Sequence, residues 1–169
     1  MKAIKIIVVL LLVSVFSSSC SGQVLNNLSL DQYYNKILID GVSIGKIIDE
    51  NKKEGNIDKL FSSTVDFKQE SAPIDEYFFY EVDGSKFHFE MNEPNNRKNS
   101  QITAVEIGGN ALVKILDDEV KIGSNVSNLL QKYKIRENGV IVFSQDETSS
   151  TLQVYYSNSI ITKMEIDFF

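Results

Sequence analysis

One phrase of this sequence occurs twice, and that repetition limits the fold more than any other feature. Lys36 to Gly45 and Lys114 to Gly123 are identical at seven of ten positions, at a constant offset of 78. A second match follows in the same order: Ile102 to Ile107 corresponds to Ile161 to Ile166, at an offset of 59. Two ordered matches predict two copies of one supersecondary unit, because such a unit buries its apolar face by meeting another like it. The reading places repeat 1 at 36–107, a connector at 108–113 and repeat 2 at 114–169. The falling offset puts 19 extra residues in the first copy.

Within each copy the apolar period changes from helical to alternating. In the second, Val126, Leu129, Leu130 and Tyr133 fall on one helical stripe, with Ser124 as the expected N-cap. In the first, Ile44, Ile47 and Ile48 predict a short helix ending by Gly55, and Ile57, Leu60 and Phe61 a further turn. Strands are expected over 77–82 and 85–91, around the two-residue turn Asp83-Gly84. That turn pairs Tyr80 with Phe87 and Phe78 with Phe89, so Phe78, Tyr80, Val82, Phe87, Phe89 and Met91 share a core face. Tyr77, Phe79, Glu81, Lys86, His88 and Glu90 share the face toward water, with Glu81 and Lys86 as an exposed pair. In the second copy the strands are 140–143, 151–156 and 160–168; Ser62 to Glu76 and Asn92 to Gln101 read as irregular stretches. The expected class is α+β: two tandem repeats, each a short helix or helix-loop-helix packed on an antiparallel meander.

Residues 1–20 stand apart. Lys2 and Lys5 precede an uncharged apolar run, Ile6 to Phe16, and the small residues Ser17, Ser18, Ser19 and Cys20 follow. That order predicts a secretory signal, and the run is shorter than the roughly 20 residues a spanning helix needs. Cys20, the single cysteine, resembles the acceptor cysteine of bacterial lipoproteins, although Ser17 stands where a leucine is usual. That resemblance implies lipidation at Cys20 and a lipid-anchored cell-envelope protein. The alternative is ordinary cleavage near Gly22, which leaves a soluble periplasmic or secreted chain. Residues 21–35 then form a lead-in. Without the signal's two lysines, 17 basic side chains become 15 against 23 acidic ones, a net charge of −8. Such a chain repels phosphate backbones, so nucleic acid is not an expected partner, and membrane contact is expected only through the N-terminal lipid.

The phrase apolar-x-Ile-Gly, a short amphipathic helix, then strands closing on Ile-Thr-x-apolar-x-Ile resembles the repeat of the β-lactamase inhibitor protein family. It is also similar to small outer-membrane-assembly lipoproteins that share the module. The resemblance covers most of the chain that follows residues 1–20. It implies two tandem units, each a helix-loop-helix on an antiparallel sheet, and a non-enzymatic function in which the exposed sheet face and loops bind a partner protein. This chain lacks the cysteines that pin the inhibitor's units, and none of the inhibitor's contact residues maps onto a position here.

No catalytic, cofactor or metal residues are expected. His88 is the single histidine, so it cannot supply a two-histidine zinc site, and its place in a strand reads as an ordinary surface position. The acidic neighbours Asp49-Glu50, Asp75-Glu76, Asp117-Asp118-Glu119 and Asp146-Glu147 read as solvated surface rather than a convergent carboxylate pair, and the triplet lacks the alternating spacing of a calcium loop. Aromatics expected on the water face, Tyr77, Phe79 and Tyr155, together with His88, are the candidate partner-binding residues. The competing function is a small-ligand carrier or enzyme with a cavity between the two repeats.

Overall fold

The computed structural model describes residues 25–71, 76–135 and 139–169; Cys20 and the expected signal segment lie outside them. The chain enters through strand β1 (Leu25–Leu28) and helix α1 (Leu30–Lys36). A small hairpin follows, β2 (Ile37–Ile39) and β3 (Val42–Ser43), then helix α2 (Ile44–Glu54). Four strands come next: β4 (Asp66–Ser71), β5 (Glu76–Val82), β6 (Ser85–Met91) and β7 (Ser100–Glu106). A second small hairpin, β8 (Val113–Ile115) and β9 (Asp118–Val120), leads to helix α3 (Ser127–Lys132). The last three strands are β10 (Val140–Gln145), β11 (Thr151–Ser157) and β12 (Ile160–Asp167).

These elements form a mixed α and β structure dominated by strands. An open eight-stranded sheet runs β1-β10-β11-β12-β7-β6-β5-β4, and a four-stranded sheet runs β3-β2-β8-β9. The two meanders meet where β12 pairs antiparallel with β7. The two small hairpins meet where β2 pairs with β8, Ile37 opposite Ile115.

Local chemistry accounts for much of this. Asp83 and Gly84 both hold positive φ, 49° and 82°, the backbone of a tight turn whose twist suits the strands it joins. The register then runs as the turn dictates, from Val82 opposite Ser85 to Phe78 opposite Phe89, whose rings stack with centroids 5.2 Å apart. Ser43 caps α2 by accepting from the Lys46 N–H, and Gly55 ends it in the left-handed conformation. The inward residues of the large sheet, the helices and the small sheet share one apolar core. Ile37, Ile47, Tyr80, Phe87, Ile115, Phe143 and Ile166 are all fully buried in it.

Several expectations need correction. The lead-in 21–35 carries a strand and a helix; Ser29 and Gln32 form a reciprocal capping box that starts α1. The stretch read as irregular between Ser62 and Glu76 holds strand β4. Ser124 does not cap α3, which begins three residues later; its Oγ accepts from the Lys121 N–H instead. Glu81 and Lys86 do face each other across the strands, but Glu81 pairs with Lys68 at 2.6 Å and Lys86 reaches Glu106 at 3.7 Å. The matched phrases also turn at different points: Asp40-Gly41 joins β2 to β3, whereas Leu116-Asp117 joins β8 to β9.

Candidate functional site

The large sheet has one face against the core and one away from it. Strand alternation assigns the outward set directly, because residues paired across strands share a side. From β4 to β11 it includes Lys68, Phe79, His88 and Ala104 along one row, and Glu81, Lys86, Glu106, Glu165 and Gln153 along another. The β6–β7 register shifts between His88 and Phe89, which adds Thr103 to the outward side of β7. Beside that irregularity lies a hollow of about 240 Å³, with Tyr77, Phe79, His88, Thr103, Ala104 and Glu106 in its lining.

Three of the four expected binding residues therefore come together, though not as freely exposed aromatics. Phe79 is only 8% exposed, which corrects its expected placement in water. The ring is covered on its own side of the sheet: His88 lies 5.3 Å away, and the Lys68 and Lys86 ammonium groups each stand 5.6 Å from its centroid. Tyr77 is half-buried at the rim. His88 Nε2 is buried without a hydrogen-bond partner among the described residues, and stands 3.4 Å from Glu106 Oε1.

Tyr155 lies three strands from His88 and is committed elsewhere. Its hydroxyl meets Gln153 Oε1 and Glu165 Oε1, each at 2.7 Å, and Lys163 stands over its ring. The hydrogen bond to Glu165, with burial adding to it, pushes the Tyr155 hydroxyl up to about 12. Burial works against ionised Glu165, yet hydrogen bonds from Lys163 and Tyr155 hold its carboxyl below the ordinary range. Asp167, beside it, is held above its ordinary value by burial and then by the Glu165 charge.

Among the described residues no group of three or more His, Cys, Asp or Glu side chains is arranged to hold a metal ion. What the outward face offers is a recess with Tyr77 and Phe79 in its lining and a mixed but mainly acidic surround.

No protein-family model, curated protein or solved structure matches this chain. The functional reading therefore rests on the residues themselves.

Thr103, Ala104 and Glu106 line the recess but were not among the sequence candidates. Their signal was present in the match of Ile102–Ile107 with Ile161–Ile166, which marked the strand as a paired element. It did not show which strand β7 would border. A second depression, open and about 540 Å³, lies between α1 and α2, with Leu30, Tyr34, Ile48 and Lys52 in its lining.

Proposed function

We propose that this chain is an exported, non-enzymatic protein-binding module that uses the outward face of its large sheet. The observation that carries the reading is the recess lined by Tyr77, Phe79, His88 and Glu106 on the outward face of the large sheet. A rigid sheet presenting aromatic walls and a polar rim suits contact with a folded partner better than chemistry on a small substrate. The charge, apolar run and small-residue order of residues 1–20 supports export, and Cys20 at its end supports attachment to the cell envelope by lipid.

We also propose that the molecule is a duplicated unit of the kind found in the β-lactamase inhibitor protein family. Each matched segment pairs with its own copy: Ile37 lies opposite Ile115, and Glu106 opposite Glu165. Both pairs join equivalent positions of the two copies, as an approximate two-fold relation between units requires. The two-residue displacement between the small hairpins is then divergence after duplication.

The test is capture of a partner by the chain lacking residues 1–20, from envelope extract and culture medium. A Tyr77→Ala, His88→Ala variant, checked for native circular dichroism, runs beside it. Both side chains are part-exposed in the lining, whereas Phe79→Ala would open a cavity under Lys68 and Lys86. The expected outcome is a protein held by the native chain and at least tenfold depleted with the variant. Equal capture by both would move the site away from this recess. No capture by either would favour the small-ligand reading, with the groove between α1 and α2 as its location.

A further inference from the structure

We infer that the open edge of β4 is a self-association surface, on which a second copy of this chain adds its own β4 antiparallel, Phe67 opposite Phe67. The inference goes beyond the partner-binding reading and does not depend on it, because it uses the edge of the large sheet rather than its outward face.

The Asp83-Gly84 turn fixes which main-chain groups this edge offers. In a two-residue hairpin the residues flanking the turn exchange main-chain hydrogen bonds, so Val82 and Ser85 form a hydrogen-bonded pair. Alternation from that pair turns the N–H and C=O groups of Val82, Tyr80 and Phe78 toward β6. Those of Glu81 and Phe79 therefore point to β4, where Asp66 and Lys68 stand opposite them. Phe67 and Gln69 are left with N–H and C=O groups directed away from the sheet. Strand β4 pairs with β5 alone, and these groups have no backbone partner among the described residues.

The side chains also leave this edge unfinished. Asp66, Phe67, Lys68 and Gln69 are all exposed. Phe67 is on the core-facing side, its ring centroid 5.7 Å from that of Phe78 and 5.8 Å from that of Tyr80. The Arg97 guanidinium stands 4.7 Å from the ring, yet Phe67 remains 42% exposed. The apolar core thus runs out to the last strand of the sheet and is not closed there.

Charged residues on an edge strand commonly block pairing, and here they select a register instead. A two-fold axis perpendicular to the sheet at Phe67 makes the two Phe67 residues a hydrogen-bonded pair and sets their rings side by side. Lys68 of each copy then lies opposite Asp66 of the other, in non-hydrogen-bonded pairs whose side chains approach most closely. Asp66 lacks such a cation within its own chain. It stands opposite Glu81, and Lys68 is bound to Glu81 at 2.6 Å. Moving the axis one residue, to Lys68, would set the two lysines against each other, so charge favours the register that also covers Phe67.

The experiment is sedimentation velocity on the chain lacking residues 1–20, which keeps every described residue, from micromolar to millimolar concentration. We expect the mass to rise from monomer toward dimer, less steeply at high salt. Over the same range the Phe67 and Gln69 amides should exchange more slowly with solvent, while the Lys68 amide, already bonded to β5, should not change. Gln69→Pro removes one outward N–H without touching the β4–β5 ladder, and should weaken the dimer about tenfold or more. Asp66→Lys and Lys68→Glu, each checked for native circular dichroism, should each weaken it about fivefold. An equimolar mixture of those two variants should restore association, because every substituted charge then meets its opposite. A native chain that stays monomeric throughout would overturn the inference, as would a dimer unchanged by Gln69→Pro or a mixture no stronger than its components. The Tyr77→Ala, His88→Ala variant should dimerise as the native chain does, so failure of the partner-binding reading and failure of this one are told apart.

Discussion

Tyr80 shows how a single residue ties several parts of this molecule together. It is fully buried on β5, and its hydroxyl hydrogen-bonds Gly55 O at 2.7 Å and Asn51 Oδ1 at 3.1 Å. Asn51, also fully buried, donates through Nδ2 to Ser100 Oγ at 2.8 Å and to Arg97 O at 3.0 Å. The network joins the end of α2 to β5 and to the loop before β7. Burial pushes the Tyr80 hydroxyl up to about 12, with Arg97 opposing. A tyrosine is neutral when protonated, and its unfolded value is about 10. Stability is therefore unaffected by this group below pH 10 and falls as pH rises from 10 toward 12, by about 2–3 kcal/mol. We expect urea midpoints to drop as pH rises from 10 toward 12. Tyr80→Phe should cost about 1–2 kcal/mol at pH 7, through the lost hydrogen bonds, and should show a shallower alkaline loss. Parallel alkaline curves for the two proteins would show that Tyr80 is not the group responsible. The sequence showed Tyr80 as inward-facing, because the Asp83-Gly84 turn sets strand phase. It did not show Asn51 as buried, since an asparagine near a helix end reads as surface until the chain that covers it is placed.

Elements set by short-range chemistry were the most legible. The β5–β6 hairpin and the end of α2 at Gly55 both follow from residues within a few positions of one another. Elements that depend on distant partners were harder to read. Strand β4 alternates weakly and lies at the sheet edge, where one neighbour, β5, supplies its pairing. Strand β1 runs parallel to β10, a partner more than a hundred residues away. Gly108 carries a similar lesson. As part of Gly108-Gly109-Asn110 it reads as a turn-forming connector, but its backbone is pressed against the β5–β6 turn, and its N–H donates to the buried Ser85 Oγ at 2.8 Å. A Cβ there would stand 2.6 Å from Asp83 O, Gly84 C and Ser85 N, all backbone atoms that cannot yield cheaply. Gly108→Ala should therefore destabilise by roughly 2 kcal/mol or more, whereas Gly109→Ala, with nothing within 4 Å, should be close to neutral. Equal thermal midpoints for the two variants would contradict this close approach.

At the scale of the whole molecule, the two meanders share one core and one sheet, so they should not unfold separately. Phe89→Ala, on the β6 side, and Phe143→Ala, on the β10 side, each remove a fully buried ring and should each cost about 3–5 kcal/mol. Near-UV and far-UV signals should lose structure together in a single transition in both variants. Two separate transitions would mean that the halves are independent domains joined at a weak seam. The sequence by itself determined the mixed α and β class, the phase of the β5–β6 hairpin and the matched segments, because those depend on period, turn chemistry and identity along the chain. The tertiary structure alone decided that β7 borders β12, that Glu106 faces Glu165, and that Phe79 is roofed by two lysines and a histidine. The first two relations join residues tens of positions apart, and the roof over Phe79 is completed only when the edge strand β4 brings Lys68 beside it. They are fixed by which strands can share one apolar core, and local sequence does not encode that.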